Sequence, residues 1–195
     1  MRSHRGRVSP RELAAGALLT ALALVIPLAF QGWLQVHVPP LGLSATLASH
    51  VPSMLAMFIS PSAAALVGIG STLGFAMTLG PVIAARAASH IAFAVAGAFL
   101  ARAGMRPGWV LAAVLPVHVG LEGLAVWVLV QQKEAALAVA GLTALHHAAD
   151  ALIAFSVLAA LVRANVGILG NVASRRLPPG APAAGGGREG RNERV

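Results

Sequence analysis

The chain has 195 residues, 57% hydrophobic and only 10% charged, with a mean hydropathy of +0.80. Soluble globular domains carry roughly 25% charged residues, so this composition excludes one and indicates a polytopic helical membrane protein. The absence of cysteine excludes a disulfide scaffold, a cysteine-based zinc site, an iron–sulfur cluster and a cysteine nucleophile, and the net charge of +8, gathered at the two chain ends without interleaved aromatic residues, reads as topology and anionic-lipid contact rather than nucleic-acid binding.

A bilayer crossing needs about 20 apolar residues, and six candidates follow one another. The first, about 12–30, succeeds a basic start and contains Pro27. No small-x-small cleavage site follows it closely, so a retained span is expected rather than a cleaved signal peptide. From Gln31 to Leu43 the chain carries Trp33, His37 and Pro39-Pro40; the double proline forces an extended path, suited to an external lid. The second span, about 45–59, is short and closed by Ser60-Pro61; the third, about 62–79, stops before Gly80-Pro81. The fourth is about 82–101, followed by a polar break from Arg102 to Gly108. The fifth, about 109–130, and the sixth, about 136–162, are separated by Gln131-Gln132-Lys133-Glu134. Residues 1–173 are therefore expected to form one six-helix transmembrane domain, and 174–195, rich in Gly, Pro, Ala and Arg, a disordered basic tail. With both termini cytoplasmic, twelve of the fourteen Lys and Arg residues lie inside, Lys133 lies outside and Arg86 lies within a span.

Ionisable groups are costly at mid-bilayer and rarely persist without a partner or a task. Here they recur: His50 in the second span, Arg86 and His90 in the fourth, His118 and Glu122 in the fifth, and His146, His147 and Asp150 in the sixth. Arg86/His90, His118/Glu122 and His146/Asp150 are each spaced i,i+4, hence on shared helix faces. At about 1.5 Å per residue, His50, Arg86, His146 and His147 fall roughly 6–9 Å below the outer surface, His90 and Asp150 about 12–14 Å, and Glu122 about 20 Å up from inside; only His118 falls near the middle. Four spans thus contribute to one outward layer, which suits a small polar solute arriving from outside. A guanidinium fork matches a carboxylate bidentately, so Arg86 points to an anionic ligand. The same residues also allow buried ion pairs alone, with Arg86 on Glu122 or Asp150. His118, Glu122, His146, His147 and Asp150 are all possible metal ligands, yet no His-Glu-x-x-His pattern occurs, no metal is expected, and no Gly-x-Ser-x-Gly elbow is present. No Gly-x-x-x-x-Gly-Lys-Ser/Thr loop is present, so energy for uphill transport would come from a partner.

Several segments together carry a resemblance: Ala17-Leu18-Leu19-Thr20-Ala21 with Ile26-Pro27, Leu47-Ala48-Ser49-His50-Val51-Pro52, Gly70-Ser71-Thr72-Leu73-Gly74-Phe75 and Arg86-Ala87-Ala88-Ser89-His90. Over about residues 12–163 the chain resembles the substrate-binding (S) components of energy-coupling factor transporters, the niacin-specific type in particular. The resemblance implies a non-enzymatic six-helix bundle in a prokaryotic cell membrane that binds a vitamin near its outer face under a loop. It implies an Ala-xxx-Ala face, here Ala17 and Ala21, docking on a transmembrane coupling subunit, with two cytoplasmic ATPases using the ATP and no cofactor in this chain. Arg86 would then hold the nicotinate carboxylate, and Ser49, His50 and His90 would bond the carboxylate or the ring nitrogen. Glu122, His146, His147 and Asp150 would complete the polar shell, and Trp33 would shield the ring. Alternatives are an S component for another vitamin or acidic small molecule, and an intramembrane metal-dependent enzyme.

Overall fold

The computed structural model describes residues 9–30 and 32–169; the expected tail at 174–195 and the basic residues before Ser9 lie outside them. Helix α1 (Pro10–Ala29) starts at a capping box, in which the Ser9 hydroxyl accepts from Glu12 N–H and the Glu12 carboxylate accepts from Ser9 N–H. A hairpin follows, β1 (Gln35–Val38) antiparallel to β2 (Leu43–Thr46), with Gln35 opposite Thr46 and His37 opposite Ser44. The double proline shapes its tip as a tight turn closed by Gly42 at φ 59°. Gly42 is required twice over there, because a Cβ would strain that φ and would lie 2.9 Å from Val82 Cγ1. Next come the short α2 (Val51–Ala56), then α3 (Pro61–Leu79), capped by the Ser60 hydroxyl. Helices α4 (Pro81–Ala87) and α5 (Ser89–Arg102) form one bent crossing, and α6 (Pro107–Val130) and α7 (Lys133–Arg163) complete the bundle. The expected all-helical architecture therefore gains a small hairpin where an extended lid was predicted.

Five helical segments among the described residues are long and apolar enough to cross a membrane. The chain is a mostly helical, polytopic membrane protein. The expected second span is not among the five. Its stretch, about 45–59, is instead the end of β2, a turn with Ala48 at φ 65°, and the six-residue α2. Yet the chain must return there. Gly16 in α1 packs on Ala63 and Leu66 near the start of α3, Gly70 on Thr20, and Gly74 on Leu24. Contacts that advance together along both helices mean that α1 and α3 run parallel, so residues 30–60 climb past the end of α1 and come back along its length. Irregular backbone at membrane depth is tolerated only where protein surrounds it. Accordingly every residue of α2 is buried, in the largest apolar cluster, with Met54, Met57, Phe93, Ala94 and Val110. The polar N–H groups of the preceding turn bond to Asp150, as described below.

The long helices face outward with apolar side chains such as Leu18, Leu22, Met77, Trp109, Leu145 and Leu152. With lipid on that side, helix association depends on close packing at small residues. Gly68 is the tightest case: a Cβ there would stand 2.7 Å from the Ile91 backbone, which cannot swing aside as a side chain would. Gly68→Ala should therefore separate α3 from α5 and cost about 1–3 kcal/mol. Gly120→Ala, with nothing within 4 Å of its Cβ, should leave stability unchanged. Thermal unfolding of the two purified variants in one detergent tests this; equal midpoints would refute the close-packed α3–α5 contact.

Candidate functional site

The ionisable residues of the bundle converge beneath the hairpin. Arg86, at the end of α4, is buried, as is Glu122 on α6. Arg86 Nε and Nη2 both donate to Glu122 Oε2, at 3.1 and 2.5 Å. The same guanidinium reaches the hairpin: Nη1 donates to the Gly42 carbonyl at 2.8 Å and Nη2 to the Ser44 carbonyl at 3.1 Å. Thr143 on α7 donates to Glu122 Oε2 at 2.6 Å. Glu122 Oε1 faces the other way, 3.2 Å from His118 Nε2 and 3.9 Å from His90 Nε2. One carboxylate thus joins α4, α6 and α7 and, through Arg86, the hairpin.

Asp150 anchors the second knot. Its Oδ1 accepts from Ala48 N–H at 2.8 Å and its Oδ2 from His50 N–H at 3.0 Å. These two donors belong to the turn that opens the return segment, and a fully buried carboxylate on α7 satisfies both. His50 Nδ1 also lies 2.9 Å from Asp150 Oδ2, within ion-pair range but out of line for a hydrogen bond. His146, one turn before Asp150, donates through Nε2 to the Thr46 carbonyl at 2.9 Å, tying β2 to α7.

Five imidazoles then pack into a continuous cluster. The His50 ring centre lies 4.4 Å from those of His118 and His146 and 4.7 Å from that of His90. Phe93 packs on His118 at 4.3 Å and forms an apolar floor. His90 is oriented by Ser71, whose Oγ is 2.8 Å from His90 Nδ1. His118 is oriented by His147, Nδ1 to Nδ1 at 2.9 Å, and His147 Nε2 donates to the Leu111 carbonyl at 3.0 Å. A cavity of about 20 Å³ remains between hairpin and helices, lined by Ser44, Thr46, Ser49, His50, Phe75, Ile83, Arg86, Ala87, His90, Glu122 and His146. That volume accommodates roughly one water.

Most of the residues predicted from sequence meet here. Ser49, His50, Arg86, His90, Glu122 and His146 line the cavity, while Asp150 and His147 stand behind it as supports. Counting residues along the fifth span left His118 out of the layer, at mid-bilayer; its ring instead sits at the centre of the cluster. Trp33 is not at the site: it is 70% exposed, and its indole N–H donates to the Ala29 carbonyl at the end of α1. Ser71 and Thr143 were missed. Ala17 and Ala21 are exposed on the outward side of α1, away from the cluster.

A stretch of 91 residues is 41% identical to the niacin transporter NiaX of Lactococcus lactis subsp. cremoris (strain MG1363). It covers 46% of this chain and 39% of that protein, so the two are matched over less than half of either length. No family model matches the chain, and no solved structure matches it. The local similarity bears out the resemblance to niacin-type membrane transporters read from the residues.

A buried ion pair that loses one partner leaves an uncompensated charge, at a cost of about 3–5 kcal/mol. Glu122→Gln should lower stability on that scale because Arg86 then lacks its counter-charge. Arg86→Met combined with Glu122→Leu should cost clearly less than the two single changes summed. A double-mutant cycle read by thermal unfolding checks the coupling, and additive effects would rule it out.

Proposed function

We propose that this chain is the substrate-capture subunit of an energy-coupling factor importer in a bacterial cell membrane, taking a small carboxylate-bearing vitamin, nicotinate first, from the outer side. The observation that carries the reading is Arg86, a guanidinium buried in the bundle that borders a polar cavity directly beneath a hairpin. The partial similarity to a niacin transporter supports the same reading.

Arg86 has five N–H donors, and four are engaged by Glu122, Gly42 and Ser44. Glu122 holds the guanidinium in place from below. The two hairpin carbonyls occupy the opposite side, where an incoming carboxylate would replace them with a charged acceptor. A cavity of about 20 Å³ is too small for a pyridine ring, so admission requires the hairpin to lift. Ser49 and the rings of His50, His90 and His146 then offer partners to the carboxylate or the ring nitrogen. His147, Asp150 and Glu122 brace them, and Trp33 has no role in shielding the ring.

In the same proposal the buried return segment completes a sixth crossing, both termini are cytoplasmic, and the hairpin is extracellular. The outward face of α1, with Ala17 and Ala21, docks on a transmembrane coupling subunit. Two cytoplasmic ATPases use the ATP, and the chain itself binds no nucleotide and catalyses no reaction.

Calorimetry on the purified protein, with nicotinamide as comparator, tests the reading. Nicotinate should bind, and the uncharged amide should bind more weakly by roughly ten- to a hundredfold, the scale of charge-assisted hydrogen bonds. Arg86→Lys keeps the charge but loses the fork and should weaken nicotinate by at least about tenfold. Equal affinity for acid and amide would refute recognition through Arg86. A response only to another acidic compound would keep the importer and discard nicotinate.

A further inference from the structure

We infer that His50, His90, His118 and Glu122 form a site for a divalent first-row transition-metal ion, a role that departs from the metal-free reading of the sequence. The four side chains are buried, and one donor atom from each lies within 4.8 Å of the other three. Tetrahedral ligands about 2.1 Å from an ion stand about 3.4 Å apart, so the cluster needs only a small contraction. Two of the pairs lie on either side of that spacing: His118 Nε2 is 3.2 Å and His90 Nε2 3.9 Å from Glu122 Oε1.

A chain of hydrogen bonds determines which atom faces the centre. The Leu111 carbonyl can only accept, so His147 Nε2 carries its proton and donates to it. In the neutral ring His147 Nδ1 is then an acceptor, and it receives the proton of His118 Nδ1. In a neutral His118 ring the remaining nitrogen, Nε2, keeps a lone pair, aimed at Glu122 Oε1. With His118 neutral and Glu122 ionised, two lone pairs 3.2 Å apart in a buried site leave room for one cation between them, a proton or a metal ion, and the two further imidazoles at the same point favour the metal. Metal-bound histidines bond outward through their second nitrogen. His90 is set up alike, with Ser71 meeting its Nδ1, and His50 Nδ1 lies 2.9 Å from Asp150 Oδ2 without a hydrogen bond in line. Glu122 divides its work in the same way, with Oε2 committed to Arg86 and Thr143 and Oε1 left for the ion. Three imidazoles and one carboxylate suit Zn²⁺, Co²⁺ or Ni²⁺ rather than Ca²⁺ or Mg²⁺.

Charge gives a second reason, one that rests on the anion-binding reading above. With neutral imidazoles, Arg86, Glu122 and Asp150 leave the layer with a net charge of minus one, which opposes an incoming carboxylate. A bound dication reverses that sign and leaves the layer neutral once the anion is in place.

The test uses the full-length protein in detergent, stripped with chelator, titrated with Co²⁺ and followed by visible absorption. One Co²⁺ per chain, with the intense bands of a four-coordinate ion, is expected. His118→Ala should abolish them, and Ser71→Ala, which frees the ring of His90, should weaken Co²⁺ roughly 10- to 100-fold. His37→Ala, on the exposed strand of the hairpin, should leave the titration unchanged. No stoichiometric uptake by the unmodified protein, or only weak octahedral bands from it, would overturn the site without any variant needing to fold. Nicotinate calorimetry with and without Co²⁺ separates the two proposals. Metal uptake without nicotinate binding overturns only the vitamin reading, and nicotinate binding without metal uptake overturns only the metal site.

Discussion

The Glu122 carboxylate is the interaction on which the rest of the structure depends. Burying an ionised carboxylate among apolar helices costs several kcal/mol unless it is fully partnered. Its firm partners come from two other helices, Arg86 from α4 and Thr143 from α7, while the remaining oxygen faces the rings of His90 and His118. Those partners hold the helices at a fixed rotation and height. Arg86 then extends the constraint upward, because the donors that Glu122 does not use reach the Gly42 and Ser44 carbonyls of the hairpin. The position of the hairpin is therefore a consequence of a helix-to-helix ion pair.

Asp150 solves a different problem with the same chemistry. Parallel α1 and α3 oblige the chain to travel back through the bundle without a full helix, and a turn at that depth exposes backbone donors with no water to meet them. Asp150 accepts from two of them, Ala48 and His50, across about a hundred residues of sequence. The buried His50 of that segment is thereby fixed by its own backbone, not only by its ring.

Much of this was legible in the sequence, and the failures have physical causes. In apolar helices every ionisable residue stands out, and Glu122 and Asp150 are the only acidic residues within the described spans away from their ends, so the convergence of Arg86, Glu122, Asp150 and the histidines follows from spacing alone. Thr143, His146, His147 and Asp150 even share one face of α7. Hydroxyls are harder to read, because a helical Thr commonly bonds the carbonyl one turn back, as Thr20, Thr72 and Thr78 do here. Nothing local distinguishes Thr143 or Ser71 from them. His118 joins the cluster although residue counting set it apart, because an imidazole extends several ångströms from its Cα, as far as the depth differences being counted. The second span is not one long helix, because hydropathy registers the burial of 45–59 but not the backbone path or what buries it. Lipid and protein look alike to an apolar scale, and only the partner Asp150, distant in sequence, decides between them.

The proposed transport role gives the Arg86 contacts a further consequence. The N–H groups that latch the hairpin are those a carboxylate would take, so lid and ligand compete for the same donors. A neutral carbonyl is the weaker acceptor, and a carboxylate replaces it with a charge-assisted bond. Ligand entry and lid release are then one exchange at one guanidinium, and Glu122 keeps that guanidinium in place while the exchange occurs. Because the latch bonds are backbone carbonyls, no side-chain change in the hairpin can remove them directly. The tip is instead positioned by Gly42, where an added Cβ would press on Val82 of α4. The sensitivity of the lid therefore resides in a glycine that touches no ligand, and the affinity of the site resides in an arginine whose reach is set from below.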